Sequence, residues 1–422
     1  MAIVGAGIAG LTLALCLSRV GIASVVAERA ARLEPVGAGI QLSPNAGHVI
    51  AALGLAAAID RVATRPRRLT IVSGVSGRTI AAVPYDGAEA RYGAPYRLIH
   101  RGDLQQVLLD AARDDPRIEI RLGTAVTAIA AAGERVRAAV GDAALETPLA
   151  IGADGVGSAV RAAVRADPAP RATGLDAWRA TVPATGANPA SETMLALSPG
   201  SHIVRYPVAG GTLVNFVAIL PAAPGRSDAA AGPGLADAAA RSGNPDDDAA
   251  APGRPEAARG AAAAFLDASG RDTTLDALRA ALARHAWCDE LARAGDGWRR
   301  WPLLAVASEP PWSNGRVALI GDAAHAMLPF MAQGGAMAIE DAAVLAAMIA
   351  RHGAGPPALA AYASARRPRV ARVARASART GRIYHLSPPL ALARDAAMRA
   401  LGPHRLLSRL DWLYGWRPPP LG

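Results

Sequence analysis

The sequence predicts an α/β protein in three parts: a parallel-sheet domain, a second domain built on a β-sheet, and a C-terminal helical segment. Three observations predict this organisation. The chain opens with a short apolar run, a glycine-rich turn and an apolar helix. A second apolar run ends in a Gly-Asp pair at Gly321-Asp322, and alternating, β-rich sequence lies between about 171 and 220. Together these patterns are typical of a Rossmann-like unit joined to a separate sheet.

The first predicted unit is a βαβ element. Ala2 to Val4 has the pattern of a short buried strand, Gly7 to Val20 that of a helix, and Ser24 to Glu28 that of a second strand. This order of strand, glycine-rich turn, helix and strand is the fingerprint of dinucleotide binding.

The turn of this unit carries three glycines, Gly5, Gly7 and Gly10. Glycines at this spacing permit a tight turn, close approach of the backbone to a pyrophosphate, and packing of the helix on the strand. The helix N-terminus supplies a partial positive charge. Glu28 ends the second strand, where a carboxylate can accept the hydroxyls of an adenosine ribose. A simple glycine turn with a surface glutamate is the alternative, which the order of the elements disfavours.

A second Gly-Asp element follows the strand-like run from Arg316 to Ile320. Asp322 can bind a ribityl or ribose hydroxyl, and a long helix is predicted from near Gln333 to about Ile349. Free N–H groups at the start of that helix can stabilise the negative charge of a reduced flavin. Binding elements for both ends of a long cofactor indicate FAD rather than a simple nicotinamide dehydrogenase. His325 could act as a base, although a histidine at such a turn is more typical of a structural role.

Asp154 closes another apolar strand, in the sequence Gly152-Ala153-Asp154-Gly155. One interpretation is that this turn borders the pyrophosphate and the docking path of a nicotinamide donor. The other is that the carboxylate caps the helix that follows.

His202 and Tyr206 lie four residues apart in the β-rich region. Even spacing on a strand places both side chains on one face of the sheet. An imidazole and a phenol on one face could bind and deprotonate a phenolic substrate. A half-buried histidine and a packed tyrosine without a chemical role are the alternative.

The rest of the chain is predicted in outline. A helix over Leu104–Ala112, capped by Asp103, precedes a strand at Ile118–Leu122 and a hairpin between 125 and 145. Further strands are predicted at Trp178–Val182, Met194–Leu197, Ile203–Tyr206 and Leu213–Leu220. A helix is predicted at Thr274–Trp287, and further helices between 357 and 416.

The sequence also predicts the domain boundaries. The cofactor domain comprises 1–75, 97–170 and 300–350. The substrate domain comprises 76–96 and 171–299, with a low-complexity insertion at 222–262, and the C-terminal segment is 351–422.

Composition excludes several classes of protein. The chain of 422 residues has a net charge of +10 that comes entirely from arginine, because it contains no lysine. The arginines are scattered and not interleaved with aromatic residues, so we expect no nucleic-acid binding. No apolar run is long enough to span a membrane, and the two cysteines indicate neither a disulfide framework nor a metal cluster. We expect a soluble, cytoplasmic protein.

Taken together, the motifs resemble the single-component, FAD-dependent aromatic hydroxylases, in the branch of salicylate, 3-hydroxybenzoate and 6-hydroxynicotinate hydroxylases. The resemblance covers nearly the whole chain outside the insertion. Besides the motifs above, it includes Gly37-Ala38-Gly39-Ile40-Gln41, Pro44-Asn45-Ala46, Arg101 with Leu104, Trp178-Arg179, Gly381-Arg382-Ile383-Tyr384-His385 and Asp411-Trp412-Leu413-Tyr414-Gly415-Trp416. Some relatives have a histidine where this chain has Gln41, and glutamine cannot act as a base.

The resemblance implies a mechanism and a set of site residues. NADH or NADPH, more typically NADH, reduces FAD, and O2 then adds at the flavin C4a. The hydroperoxide hydroxylates a small phenolic or hydroxylated N-heteroaromatic substrate that His202 and Tyr206 bind and deprotonate. It implies a monomer or homodimer and no bound metal. The implied FAD contacts are Gly5, Gly7, Ala9, Gly10, Glu28, Arg29, Gln41, Arg101, Val126, Asp154, Asp322, Pro329, Gly334, Gly335 and Ala336.

Other functions remain possible on the same fold. A flavin oxidase or halogenase is one alternative, although the tryptophan-rich halogenase signature is missing from the sequence. A flavin-binding regulator is another, and it would be indicated by loss of the Gly-Asp or Gln-Gly-Gly elements, both of which are present.

Overall fold

The computed structural model describes residues 1–33, 39–141, 143–166, 169–184, 192–222, 297–307 and 311–421. Within them the chain forms an α/β structure with a C-terminal helical segment, as the sequence predicts. The predicted insertion at 222–262, apart from its first residue, and the predicted helix at 274–287 lie outside these residues, as do Gly37 and Ala38.

Strands and helices alternate in the first part of the chain: β1 (Ala2–Val4), α1 (Ile8–Arg19), β2 (Ser24–Ala27), β3 (Gly39–Leu42), α2 (Pro44–Ala52), α3 (Ala56–Val62), β4 (Arg68–Ser73), β5 (Thr79–Pro84), α4 (Ala88–Tyr92), β6 (Arg97–His100), α5 (Arg101–Arg113) and β7 (Ile118–Arg121). Strands dominate the middle: β8 (Val126–Ala132), β9 (Arg135–Val140), β10 (Ala143–Thr147), β11 (Ala150–Gly152), β12 (Arg171–Pro183), β13 (Glu192–Ser198), β14 (Ser201–Val208), β15 (Leu213–Pro221), β16 (Arg299–Ala305), β17 (Ser313–Asn314) and β18 (Val317–Leu319). Helices dominate the end: α6 (Asp322–His325), α7 (Gly334–His352), α8 (Pro356–Tyr384), α9 (Leu390–Ser408) and α10 (Asp411–Tyr414).

The sheet that contains the N-terminal strand has the spatial order β17–β18–β11–β1–β2–β7. The strands from β18 to β7 are parallel, and β17 joins one edge in the antiparallel direction. Helix α1 connects β1 to β2, and almost all of its residues from Ile8 to Ser18 are buried. The predicted βαβ unit is therefore confirmed, and β11 and β18 extend its sheet from distant parts of the sequence.

A second, seven-stranded sheet has the order β16–β12–β15–β14–β13–β4–β5. All its neighbouring strands are antiparallel except β13 and β4, which are parallel. Strands β4 and β16 belong to this sheet, although the sequence assigned 1–75 and 300–350 to the cofactor domain. Pairing partners far away in sequence decide where a strand lies, and local patterns do not reveal them. The remaining domain boundaries stay predictions.

Helix α5 begins earlier than predicted. Its first residue is Arg101, His100 is the N-cap, and no side chain caps it. The predicted cap at Asp103 is therefore wrong, because that residue lies inside the first turn. An acidic side chain there still interacts favourably with the positive end of the helix dipole.

Helix α8 packs on α7 and contacts the first sheet. The phenol of Tyr362 on α8 donates a hydrogen bond to the carbonyl oxygen of Leu319 in β18 at 3.1 Å. Arg366 and Arg369 of the same helix pair with acidic side chains of α7. Within the described part of the chain, none of the helices has the length and apolar character needed to cross a bilayer.

Candidate active site

Four residues predicted to bind the cofactor follow the carboxyl ends of parallel strands. Gly5 follows β1, Glu28 follows β2, and Asp154 and Asp322 come after β11 and β18. These strands are neighbours in one parallel sheet, so the four residues lie along the same edge of it, which we call the cofactor edge. The structure thus brings together motifs from both ends of the chain.

The glycines of the β1–α1 turn have different roles. Gly5 has a φ of 103°, and a Cβ there would lie 2.7 Å from the carbonyl oxygen of Ala153. A Cβ on Gly10 would lie 1.9 Å from the carbonyl oxygen of Gly5, so Gly10 allows α1 to pack on the turn. Nothing lies within 4 Å of the Cβ position of Gly7, the N-cap of α1. The open side of the turn is therefore the helix N-terminus, where unpaired N–H groups can bind an anion.

The carboxylate of Glu28 folds back over this turn. Its Oε2 accepts a hydrogen bond from the N–H of Ala6 at 2.9 Å, and its Oε1 accepts one from the N–H of Ala30 at 3.0 Å. Each oxygen keeps a second lone pair with which it can accept a hydroxyl. A cleft of about 600 Å³ opens beside it, and its walls include seven of the predicted cofactor residues: Gly5, Gly7, Glu28, Arg29, Arg101, Val126 and Asp154.

We expect Glu28→Ala to weaken FAD binding by about 1–3 kcal/mol, because hydrogen bonds to a charged acceptor are lost. Part of the loss will come from the N–H groups of Ala6 and Ala30, which lose their acceptor. Titration of the apoprotein with FAD, followed by flavin fluorescence, measures the change. Glu134→Ala, which removes an exposed acid from the β8–β9 hairpin, should bind FAD like the wild type. Equal affinity of the Glu28 and Glu134 variants would contradict the prediction.

Asp154 uses its carboxylate inside its own turn. Its Oδ1 accepts a hydrogen bond from the Ser158 hydroxyl at 2.5 Å, and its Oδ2 accepts hydrogen bonds from the N–H groups of Ala159 and Val160 at 2.8 and 3.2 Å. Burial raises the pKa of Asp154. The structure thus shows the capping arrangement that the sequence left open, while the residue also borders the cleft.

Two residues that sequence reasoning did not select also shape this edge. Gln105 lines the cleft and donates from Nε2 to the carbonyl oxygen of Ala6 at 2.8 Å. Arg161 is buried and donates to the carbonyl oxygens of Val156 and Ala323, both at 2.7 Å, which joins the Asp154 turn to α6. The position of Gln105, one helical turn after Arg101, was the only signal for it in the sequence.

Asp322 is exposed at the start of α6, and its carboxylate forms no hydrogen bond within the described residues. Gly321 before it has a φ of 58°, and a Cβ there would lie 3.3 Å from the Cβ of Ala9 and 3.0 Å from that of Ala338. Ala9 therefore packs against this turn. Asp322 Oδ1 lies 3.9 Å from the Cβ position of Gly334, so the carboxylate is close to the N-terminus of α7.

Replacement of Asp322 by alanine should reduce FAD retention more than folding stability. The side chain is exposed and its loss creates no apolar cavity, whereas a bound ligand would lose a charged acceptor. Flavin content after gel filtration and the thermal midpoint of the apoprotein are the two measurements. Wild-type flavin content in the variant would count against this role.

The first three residues of α7 are Gly334, Gly335 and Ala336. Their N–H groups have no partner within the helix. The Cβ position of Gly335 is 3.9 Å from Cγ2 of Ile40, so β3 lies beside this helix end. The preceding turn is closed by a hydrogen bond from the N–H of Ala332 to the carbonyl oxygen of Pro329 at 2.9 Å.

Two glutamines near this helix end are engaged by protein groups. The amide of Gln333 donates to the hydroxyl of Ser43 at 3.0 Å and accepts from Asn45 at 3.1 Å. Gln41 Oε1 accepts a hydrogen bond from the phenol of Tyr96 at 2.7 Å. Gln333 therefore attaches α7 to α2. Gln41 is bound to Tyr96, and its contact with the cofactor remains a prediction.

His202 and Tyr206 lie on one face of β14, as predicted, and both are 3% exposed. In the sheet His202 is opposite Ile219, and Tyr206 is opposite Asn215. Tyr206 belongs to the main hydrophobic core, so this face is turned towards the first sheet and its helices.

His202 is surrounded by aromatic rings. Its ring centre lies 5.4 Å from that of Phe330 and 5.5 Å from that of Tyr384. Its Nδ1 is 2.9 Å from Nε2 of His385, at the end of α8. Phe330 follows the predicted cofactor residue Pro329 directly, so the loop before α7 connects the cofactor edge with His202.

Tyr206 packs against the start of β3. A Cβ on Gly39 would lie 2.6 Å from the phenol oxygen of Tyr206, so only glycine allows this contact. Burial raises the pKa of Tyr206, and the nearby charge of Arg179 offsets only part of that effect. The phenol therefore stays protonated near neutrality and can donate a hydrogen bond, whereas His202 is the group on this face that can accept a proton.

His325 faces away from this site. Its Nε2 lies 2.5 Å from Asp341 Oδ2, the residue is buried, and its ring is 4.9 Å from that of Trp312. These contacts fit the structural role that the sequence favoured for this histidine.

Comparison with known proteins places this geometry in a family. A family model described as an FAD binding domain matches residues 1–377. The 3-hydroxybenzoate 6-hydroxylase 1 of Aquipseudomonas alcaligenes is 33% identical over 419 residues, which cover 98% of this chain and 96% of that protein. The 3-amino-4-hydroxybenzoate 2-monooxygenase of Streptomyces cremeus is 36% identical over 425 residues, which cover 98% and 94%. The chain therefore belongs to the family of FAD-dependent aromatic hydroxylases.

Solved structures agree on the fold. Klebsiella pneumoniae HpxO complexed with FAD and uric acid has a TM-score of 0.77 and 24% identity, with 98% of this chain and 96% of that chain covered. A substrate complex of salicylate hydroxylase has a TM-score of 0.71 and 24% identity, with coverage of 98% and 95%. The predicted fold class is thus confirmed.

Proposed function

We propose that the protein hydroxylates a small aromatic ring that already carries a hydroxyl group and a carboxylate, with NADH or NADPH as electron donor and O2 as co-substrate. The observation that carries this proposal is the buried sheet face that presents an imidazole and a phenol, those of His202 and Tyr206. Strand β3 links this face to the start of α7, because Tyr206 contacts Gly39 and the adjacent Ile40 lies beside Gly335. The relatives named above act on hydroxybenzoates, which supports this substrate class.

FAD fits the residues along the cofactor edge. Glu28 would bind the adenosine ribose, the N-terminus of α1 at Gly7 the pyrophosphate, and Asp322 the ribityl chain. The N–H groups of Gly334 and Gly335 would face the anionic edge of the ring. The fit rests on three observations: the cleft beside Glu28, the carboxylate of Asp322, which has no partner among the described residues, and the Cβ positions of these glycines, whose nearest neighbouring side-chain atoms are 3.9 Å away. Bound FAD would supply electron transfer from the nicotinamide and activation of O2; further contacts are proposed for Ala9, Arg29, Gln41, Arg101, Val126, Pro329 and Ala336.

The two residues on the sheet face have separate tasks. His202 accepts the proton of the substrate hydroxyl, which makes the ring more nucleophilic, and Tyr206 donates a hydrogen bond that holds the oxygen in place. The aromatic rings of Phe330 and Tyr384 around His202 exclude water from this region. Exclusion of water strengthens these electrostatic contacts.

The same face offers two donors for a carboxylate. Asn215, opposite Tyr206, is fully buried; its Oδ1 accepts from the N–H of Gly39 at 3.0 Å, and its Nδ2 has no partner among the described residues. Arg179, on the neighbouring strand β12, has an Nε that also lacks a partner in the described ranges, and its guanidinium lies 5.5 Å from the ring centre of Trp301. Buried donors of this kind need an acceptor, and a carboxylate provides two.

A panel of substrates tests the proposal. Purified protein should be yellow, with about one FAD per chain, and oxidation of NADH or NADPH should be stimulated by 3-hydroxybenzoate and its isomers. Mass spectrometry should find one added oxygen in the product. Matched benzamides, which lack the anionic carboxylate, should stimulate less. A colourless protein that does not take up FAD would overturn the cofactor assignment. Equal turnover of acids and amides would overturn the assignment of a carboxylate to the substrate.

The cytoplasmic location and the monomeric or homodimeric state are further proposals for the protein. Light scattering of the holoprotein would decide between the two assemblies.

A further inference from the structure

A buried tyrosine that the proposed function does not use fixes the side-chain amide of Gln41. The phenol of Tyr96 donates a hydrogen bond to Oε1 of Gln41 at 2.7 Å, while Nε2 of the same amide has no hydrogen-bond partner among the described residues. Burial raises the pKa of Tyr96, so the phenol keeps its proton and remains a donor near neutrality. Because the oxygen of the amide is occupied, Gln41 presents its nitrogen, which is a donor, to a ligand.

Tyr96 is held in place by other aromatic rings. Its ring is stacked on that of Tyr85, with the centres 4.1 Å apart and an angle of 4° between the planes. The ring of Tyr414 in α10 meets it edge-on, at 5.9 Å between centres. All three tyrosines are buried. The C-terminal segment therefore supports Tyr96, and the amide of Gln41 is oriented before a ligand binds.

Strand β3 turns this amide towards the sheet face that carries Tyr206. Side chains alternate along a strand, so Gln41 lies on the same face of β3 as the Cβ position of Gly39, and Ile40 lies on the other. The Cβ position of Gly39 is 2.6 Å from the phenol oxygen of Tyr206, whereas Ile40 lies beside α7. Gln41 is half-buried, so a ligand can reach its nitrogen on the side of β3 that meets Tyr206.

A second side-chain amide lies at the same contact. Oδ1 of Asn215 accepts a hydrogen bond from the N–H of Gly39 at 3.0 Å, and its Nδ2 has no partner in the described part of the chain. Gln41, two residues further along β3, repeats this arrangement, with its oxygen occupied and its nitrogen free. A carboxylate offers two acceptor oxygens to such a pair of donors, and its charge makes each hydrogen bond stronger.

We propose that Gln41 is a specificity-determining residue that donates to the substrate carboxylate, and that Tyr96 is the positioning residue that fixes its amide. Gln41 and Asn215 then each supply one N–H to the carboxylate, so the substituent at this position must accept hydrogen bonds. This role rests on the proposed function, in which the substrate carries a carboxylate and is bound by Tyr206. It goes beyond the cofactor contact proposed for Gln41, because the free nitrogen of the side chain is assigned to the substrate.

Binding of two ligands that differ in one group tests the assignment. 3-Hydroxybenzoate and 3-hydroxybenzamide are titrated into FAD-saturated protein, and the absorbance change of the bound flavin gives both dissociation constants. The wild type should bind the acid more tightly. Gln41→Glu still accepts from Tyr96 but replaces the donor with a negative charge, so its affinity for the acid should fall by about 10–100-fold. The preference should change to the amide, whose NH2 group can donate to the new carboxylate.

The matched control is Gln106→Glu, the same substitution at an exposed site on α5. It should keep the wild-type preference for the acid. Each ratio of dissociation constants compares two ligands on one protein, so partial unfolding of a variant does not alter it.

A double-mutant cycle tests whether Tyr96 acts through Gln41. Tyr96→Phe keeps the stacked ring and removes the hydroxyl, so the amide can rotate and the affinity for the acid should fall by about 3–10-fold. In Gln41→Leu the acid should also bind more weakly, and adding Tyr96→Phe should cause no further loss. Equal losses from Tyr96→Phe in both backgrounds would overturn its positioning role.

The outcomes separate this role from the proposed function. If the wild type prefers the acid and Gln41→Glu keeps that preference, only the assignment of Gln41 fails. If the wild type binds the two ligands equally, or binds neither, the substrate class in the proposed function fails, and the assignment of Gln41 fails with it.

Discussion

Replacement of His202 by alanine is expected to lower the rate of hydroxylation by about 10²–10⁴-fold, the usual range for a positioned base. His202 is the group on the buried sheet face that can take a proton, because the raised pKa of Tyr206 keeps the phenol protonated. A phenolic substrate that stays protonated is a weaker nucleophile, so electrons from the nicotinamide should be diverted to hydrogen peroxide. FAD content should stay normal, because the residue lies outside the cofactor edge.

The pH profile separates a base from a packing residue. A base must be neutral to accept a proton, so the wild-type rate should fall as the pH drops through a group near neutrality. This step should be missing in His202→Ala and present in His352→Ala, a variant of an exposed histidine at the end of α7. Wild-type turnover and coupling in His202→Ala would show that the residue is structural.

Tyr206→Phe is expected to lower hydroxylation as well, within about the same range. The substitution removes only the hydroxyl and keeps the ring that packs on Gly39. The variant should retain the ionisation of His202, because the base is still present. Loss of that ionisation in Tyr206→Phe would contradict the division of tasks between the two residues.

Local patterns in the sequence were sufficient to predict the cofactor elements. Gly5 and Gly10 are required by a turn whose contacts lie within a few residues, apart from the neighbouring strand at Ala153. The strand periodicity that placed His202 and Tyr206 on one face is also local. These predictions needed only the pitch of a strand and the geometry of a glycine turn.

The sequence could not reveal contacts that depend on which distant segments meet. The pairing of β4 with β13 and the contact of His202 with His385 join segments more than a hundred residues apart. Gln333 was predicted only as the start of the long helix, yet its amide also binds Ser43, the N-cap of α2. The composition of each segment fits several partners equally well, and the packing of the whole chain selects one.

Arg366 of α8 is the centre of a buried ionic cluster that the sequence did not indicate. Its Nη1 lies 2.5 Å from a carboxylate oxygen of Glu340 and its Nε lies 2.7 Å from one of Asp341, and all three side chains are at most 1% exposed. Burial alone would raise the pKa of Asp341, but the charges of His325 and Arg366 hold it below its usual value. The same aspartate accepts hydrogen bonds from His325 and from the N–H of Gly321, next to Asp322.

Arg366→Met should therefore lower the free energy of unfolding by about 3–5 kcal/mol, the cost of removing one partner from buried ion pairs. Urea unfolding of the two apoproteins measures the change, because FAD would stabilise the two proteins unequally if their affinities for it differ. Arg367→Met is the matched control: the residue is next in sequence but exposed, and its replacement should change stability by no more than about 0.5 kcal/mol. The cluster holds α8 against α7, so the Arg366 variant should also bind FAD less tightly through the displaced Gly321 turn. Equal unfolding midpoints for the two methionine variants would show that the buried pairs contribute nothing net to stability.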